Sequence, residues 1–152
     1  MFVCVENAGR SQVAEAFAKK YGLNVESAGT VPSRAVNPAV VEAMREKGLD
    51  LSKSLPKLLS AEMIDEADLI ITMGCSVEEV SPRPILAKMQ KKTVEWKLED
   101  PKGKSIEQVR IIRDEIESRV RKLSSTSYYF HPGDTSKTHR FPTVNTRFSF
   151  KT

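Results

Sequence analysis

Cysteine is scarce in this 152-residue chain: Cys4 and Cys75 are the only two. That is too few to staple a secreted domain, so such a pair points to catalysis or redox chemistry in a reducing compartment, and a cytoplasmic location is expected. Histidine is absent where it would matter most. His131 and His139 both lie beyond residue 123, which excludes imidazole chemistry from everything before them. They stand eight residues apart without cysteines or carboxylates in ligand spacing, so no metal site is expected there. No apolar run approaches the ~20 residues that a membrane span needs. A signal peptide is not expected either, because Met1 to Val5 reads directly as a core strand. The net charge of +4 is modest, with no arginine-rich or aromatic-interleaved stretch to suggest nucleic acid. It suits an anionic substrate.

A hydrophobic content of 39% is enough to bury one proper core. The strand Met1 to Val5 is followed by a helical pattern from Gln12 to Tyr21, with Val13, Ala14, Phe17, Ala18 and Tyr21 at helical spacing and Gly22 as its stop. Asn24 to Gly29 alternates like a short strand. Asn37-Pro38 opens a second helix, with Val40, Val41 and Met44 on one face. Asp50 to Leu59 reads as a proline-broken loop and Ala61 to Glu66 as a short helix. Leu69 to Met73 is a continuous apolar run, the pattern of a strand covered on both faces. A proline-rich segment holding Pro82 and Pro84 precedes a fourth strand, Thr93 to Lys97. The last helix runs from Ser105 to about Leu123, with Ile106, Val109, Ile112, Ile116, Val120 and Leu123 on its inner stripe. Alternating strands and helices imply an α/β fold, a small four-stranded parallel sheet with helices on both faces. The catalytic domain is expected over 1–123. Residues 124–152 form a serine- and threonine-rich tail carrying Tyr128, Tyr129, Phe130, Phe141, Phe148 and Phe150, which suit disorder or packing on the core or a partner.

The chemistry gathers in the first turn, Cys4-Val5-Glu6-Asn7-Ala8-Gly9-Arg10-Ser11. A strand, a cysteine, a loop, an arginine and a helix start are the parts of an oxyanion cradle. Backbone N–H groups of Val5 to Ser11 converge on one point, and the helix N-terminus adds partial positive charge. The Arg10 fork holds two oxygens of a tetrahedral anion, and the same donors stabilise a Cys4 thiolate. Cys4, Cys75 and Asp100 each follow a predicted strand, so all three should meet at the carboxyl edge of the sheet. Asp100 would protonate a departing oxygen, and Cys75 would be a second thiol able to expel a product by forming a disulfide. Plainer readings exist for each: a small buried hydrophobe for either cysteine, an N-cap for Ser11, a turn for Asp100-Pro101.

Phe2 to Ala16 resembles the signature loop of the arsenate reductases that share the low-molecular-weight tyrosine phosphatase fold. Further matches are Ser27-Ala28-Gly29-Thr30, Asn37-Pro38 with Glu42-Ala43-Met44, Thr72-Met73-Gly74-Cys75, and Asp100 to Lys104 with Arg110 and Arg113 to Ile116. The resemblance implies the flavodoxin-like strand order of that fold. It also implies that Cys4 attacks arsenate, that Arg10 and the loop amides hold its oxygens, and that Asn7 and Ser11 shape the loop. Asp100 would then act as the acid, and Cys75 would close a Cys4–Cys75 disulfide as arsenite leaves. No cofactor or metal is implied for turnover, only an external reductant such as thioredoxin, a glutaredoxin-like protein or a small thiol. Asn7, Glu15 and Ser27 would face the occasional potassium site of the family. Thioredoxin-coupled members carry a third cysteine where this chain has Ser81. That leaves three readings: an external thiol attacking the disulfide directly, a serine engineered to trap an intermediate, or a protein that is no reductase. The main rival is a phosphomonoester hydrolase working through a phosphocysteine. Such phosphatases carry an aromatic residue after Asp-Pro, where Lys102 stands, and a loop cysteine where Gly9 stands. A third class is a redox switch built on Cys4 and Cys75.

Overall fold

The computed structural model describes residues 1–74, 77, 81–89 and 92–127. Four strands, β1 (Phe2–Cys4), β2 (Ser27–Gly29), β3 (Ile70–Thr72) and β4 (Thr93–Glu95), form one sheet in the order β2-β1-β3-β4. All pairings are parallel, with Cys4 opposite Gly29, Val3 opposite Thr72 and Ile71 opposite Val94. Among the described residues, the helices include α1 (Arg10–Lys20), α2 (Pro38–Arg45), α3 (Ala61–Glu66), α4 (Arg83–Met89) and α5 (Ile106–Ser127).

Strand alternation divides the core in two. Phe2, Cys4, Ile71 and Met73 face a cluster built by Phe17 of α1, Met44 of α2 and Ile112, Ile116 and Val120 of α5. Val3, Ala28 and Ile70 face the other way, onto Ile64 of α3, Val77 and Met89. Both faces are covered, as a parallel sheet requires. The expected strands and all four expected helices are present. A further helix, α4, occupies the proline-rich segment, to which the sequence assigns no element. Pro84 falls in its first turn, where a missing N–H costs no helical hydrogen bond.

Helix boundaries follow their caps. Asn37 Oδ1 accepts from Ala39 N at 2.9 Å, and Ser60 Oγ accepts from Met63 N at 3.2 Å. Ser105 and Gln108 form a reciprocal capping box at the start of α5: Gln108 N donates to Ser105 Oγ and Ser105 N to Gln108 Oε1, both at 3.3 Å. At its other end α5 passes the expected stop at Leu123 and continues to Ser127. Ser124, Ser125 and Thr126 hydroxyls each donate to a carbonyl three residues back, which suits these residues to an exposed final turn. The rest of the tail lies outside the described residues.

An ion cluster fastens α2 to α5. Arg110 reaches Glu46 Oε2 at 2.7 Å and Arg113 reaches Glu46 Oε1 at 2.8 Å. The hydrogen bond from Arg110, then that from Arg113, draws Glu46 from the ordinary glutamate value of 4.5 to about 2. A carboxylate lowered on folding adds stability above its unfolded value and loses it as pH falls toward the folded one. Thermal melts should therefore drop more steeply between pH 4.5 and about 2 in the parent than in Glu46→Gln, with the difference shrinking at high salt because the group is exposed.

Candidate active site

Cys4 ends β1 at the carboxyl edge of the sheet, 4% exposed. Its Sγ lies 2.8 Å from Ser11 Oγ. The cap of α1 is Gly9, with no side-chain cap hydrogen bond, and the helix starts two residues earlier than its apolar pattern suggests. Ser11 is thus not the cap but a first-turn residue aimed at the cysteine. Asn7 Nδ2 donates to Ser11 Oγ at 2.7 Å, so the serine hydroxyl is fixed between the Asn7 amide and the Cys4 sulfur.

Asn7 governs the shape of the loop. Its φ is +50°, a left-handed conformation that asparagine tolerates better than most residues. Every hydrogen-bonding position of its buried amide is filled. Nδ2 also donates to Ser27 Oγ at 2.9 Å, while Oδ1 accepts from Gln12 Nε2 at 3.1 Å and Lys57 N at 2.9 Å. Behind it, Ser27 Oγ donates to Glu15 Oε2 at 2.7 Å, and Lys19 and Lys57 ammonium groups stand 3.1 and 3.3 Å from Glu15 Oε1. Burial pushes Glu15 up, but the Ser27 and Lys19 hydrogen bonds and the Lys57 charge outweigh it, so it lies below the ordinary range and stays ionised. These three residues do not fit a potassium ion: the Glu15 carboxylate already carries two ammonium groups and a hydroxyl, and Asn7 Oδ1 two N–H donors.

Gly29 fits because it has no side chain. A Cβ there would lie 2.6 Å from Val5 O and 2.9 Å from Asn7 N, both backbone atoms of the loop. Gly29→Ala should therefore displace the loop, lowering stability by about 1–3 kcal/mol and weakening inorganic phosphate binding; calorimetry and thermal melts read both.

Arg10 leaves the first turn of α1 and donates through Nη1 to Leu98 O at 3.1 Å, while Nη2 sits 3.6 Å from Asp100 Oδ2. Asp100 also accepts from Lys102 N at 3.0 Å, and its side chain is 56% exposed. The turn reading of Asp100 holds, and the same side chain faces Arg10. Lys102 Nζ reaches Glu6 Oε1 at 3.0 Å across the mouth. Cys4, Glu6, Arg10, Asp100 and Lys102 line one open cleft of ≈ 200 Å³, along with Val5, Ala8 and Gly9. Asn7 and Ser11 stand behind it. The structure thus brings together Cys4, Arg10 and Asp100 with the loop, as expected. Cys75, with Ser76, Glu78 and Glu79, lies outside the described residues. Its neighbour Gly74 does not: a Cβ at Gly74 would come within 2.6 Å of Arg10 Nη1. Ser81 donates its hydroxyl to Val77 O.

Lys57 and Leu98 support the site without having stood out in the sequence. Their partners lie up to 88 residues away, where no local pattern reports them. Among the described residues, no group of three or more His, Cys, Asp or Glu could hold a metal ion, and no helix is long and apolar enough to cross a membrane.

A four-stranded parallel sheet carrying a cysteine–arginine loop at the start of its first helix defines a class of oxyanion-handling enzymes. The low molecular weight phosphotyrosine protein phosphatase family matches residues 1–127, and the chain belongs to it. A putative arsenate reductase of Halobacterium salinarum is 39% identical over 141 residues, 88% of this chain and 93% of its own length. Among solved structures, an arsenate reductase in the phosphate binding state is 35% identical with a TM-score of 0.70, covering 83% of this chain and 95% of that one. A thioredoxin-dependent arsenate reductase of Corynebacterium glutamicum is 36% identical with a TM-score of 0.65, over 86% of this chain and 61% of that one. The YwlE arginine phosphatase of Geobacillus stearothermophilus is 25% identical with a TM-score of 0.72, over 86% and 95%.

Proposed function

We propose that the chain reduces arsenate to arsenite with its own two thiols. The observation that carries this reading is the Cys4 sulfur, 2.8 Å from the Ser11 hydroxyl, in one cleft with Arg10 and Asp100. The relatives named for arsenate reduction support it.

Arsenate enters the loop, its oxygens held by the Arg10 fork and by amides of Val5, Glu6, Asn7, Ala8, Gly9, Arg10 and Ser11. The Cys4 thiolate attacks arsenic, one oxygen departs, and Asp100 protonates it so that it leaves as water. The Cys75 thiolate then attacks the Cys4 sulfur. The arsenic–sulfur bond breaks with its electron pair remaining on arsenic, which leaves as arsenite, two electrons reduced, while Cys4 and Cys75 are joined as a disulfide. No metal is needed for turnover, since thiols supply the electrons. With Ser81 in place of a third thiol, an external dithiol (a thioredoxin- or glutaredoxin-like protein) or two small thiols attack the disulfide directly. A reducing cytoplasm suits this cycle.

Anaerobic incubation of the reduced protein with one equivalent of arsenate tests it. Loss of both thiols, a Cys4–Cys75 linkage by mass spectrometry and released arsenite are the expected results. Two thiols unchanged, with steady phosphate release from a phosphomonoester on the same sample, would replace this reading with a phosphatase.

A further inference from the structure

We infer that Gly74 is a positioning residue: the side chain it lacks leaves the seat that the Arg10 guanidinium occupies, and so fixes the orientation in which Arg10 meets a tetrahedral oxyanion. The inference rests on the reading of Arg10 as the cation of the oxyanion site and not on the redox steps.

A position can require glycine for its backbone conformation or for space. Among the described residues, the glycines with positive φ are Gly22, Gly48 and Gly103. Gly74 is not one of them, so its backbone is open to an alanine. Space is the remaining reason. A Cβ on Gly74 would lie 2.6 Å from Arg10 Nη1 and 3.2 Å from both Cζ and Nη2. Those three nearest atoms belong to one guanidinium.

The backbone on the Gly74 side is pinned. Before it, Met73 N donates to Val3 O at 2.9 Å, and after it Val77 N donates to Gly74 O at 3.3 Å. Met73 and Val77 are both buried. A methyl group at position 74 therefore meets the end of a flexible side chain, and the side chain is what gives way. Arg10 has no room to withdraw inward, because the cavity it shares with Val13, Val40 and Pro101 holds only ≈ 10 Å³, about one water. It swings instead into the cleft of ≈ 200 Å³, losing the Leu98 carbonyl and its approach to Asp100. Gly29 is the contrast. The atoms nearest a Cβ there are Val5 O and Asn7 N, so the fold itself resists the substitution. At Gly74 the cost falls on the oxyanion site and not on the fold.

Inorganic phosphate is the probe, titrated calorimetrically into the purified chain and its variants. Gly74→Ala should keep the parent melting temperature to within about 2 °C or raise it, since alanine narrows the unfolded ensemble. Its phosphate dissociation constant should nevertheless rise about tenfold or more, the guanidinium fork being misaligned. In an Arg10→Lys background the same change should alter phosphate affinity less than about twofold, because a lysine puts no planar head in the seat. The Nε–H resonance of Arg10, identified by its disappearance in Arg10→Lys, should already be shifted in Gly74→Ala before phosphate is added. A purely structural glycine would lower the melting temperature, cost both backgrounds alike and leave that resonance in place, and any of these results overturns the proposal. So does unchanged phosphate affinity in Gly74→Ala where Arg10→Lys weakens it. Unchanged affinity in Arg10→Lys itself would remove the reading of Arg10, and this inference with it. No readout uses arsenate, so a chain that behaves as described toward phosphate but never oxidises its thiols would sink the reductase reading alone.

Discussion

Cys4→Ser should abolish arsenate-driven thiol loss, a fall of about 10⁴-fold or more in rate, while leaving the fold and the anion site in place. The exchange is nearly isosteric at a residue only 4% exposed, and the Ser11 hydroxyl 2.8 Å away can hydrogen-bond a serine oxygen as readily as sulfur. Phosphate affinity and melting temperature should thus stay close to the parent. Chemistry fails for two reasons. A hydroxyl is not ionised under the conditions that support a thiolate, and an oxygen at position 4 cannot form the disulfide that expels arsenite. Free-thiol counts after one equivalent of arsenate give the decisive number: the single remaining thiol, Cys75, should persist. Its disappearance would mean that arsenate is reduced without Cys4 as nucleophile, which would remove the basis of the mechanism.

The parts of the molecule legible in its sequence are those with local causes. Phe2 and Val3 alternate between two cores, Leu69 to Met73 is apolar throughout, and Asn37-Pro38 announces a helix start; each is a statement about neighbouring residues. The loop from Cys4 to Ser11 is legible for the same reason. What escaped has either a misleading local signal or a distant cause. Pro82 and Pro84 mark the segment as proline-rich without announcing a helix, yet a proline in a first turn is compatible with α4. Ser124 to Thr126 look like tail because nothing apolar recurs there, yet their hydroxyls satisfy carbonyls of the same helix. The shape of the oxyanion loop depends on Asn7 meeting the Lys57 amide 50 residues away, and the mouth on Glu6 meeting Lys102 96 residues away. Residue types at positions 7 and 102 stand out in the sequence; their partners become visible only once the sheet has set β1 beside β2 and brought the loop after β4 against the loop after β1.

Arg10→Lys should lower kcat/KM for arsenate about 10²- to 10³-fold, the cost expected for losing an oriented donor at a developing oxyanion. The charge is preserved, so the loss reports geometry. Arg10 spans three neighbours at once: Nη1 donates to Leu98 O at 3.1 Å, Nη2 lies 3.6 Å from Asp100, and the guanidinium plane fills the space left by the missing side chain of Gly74. A planar fork can keep the Leu98 and Asp100 contacts while presenting parallel N–H groups to two oxygens. A lysine has a single ammonium at the end of a flexible stem. It can hold Leu98 O or an oxyanion, but not both in a fixed orientation. The loss should fall on kcat as well as on phosphate affinity if the Arg10–Asp100 contact orients the carboxyl proposed as the acid. A decrease of less than about tenfold in kcat/KM would show that any cation suffices at position 10, and the loop would then be an electrostatic trap rather than an oriented cradle.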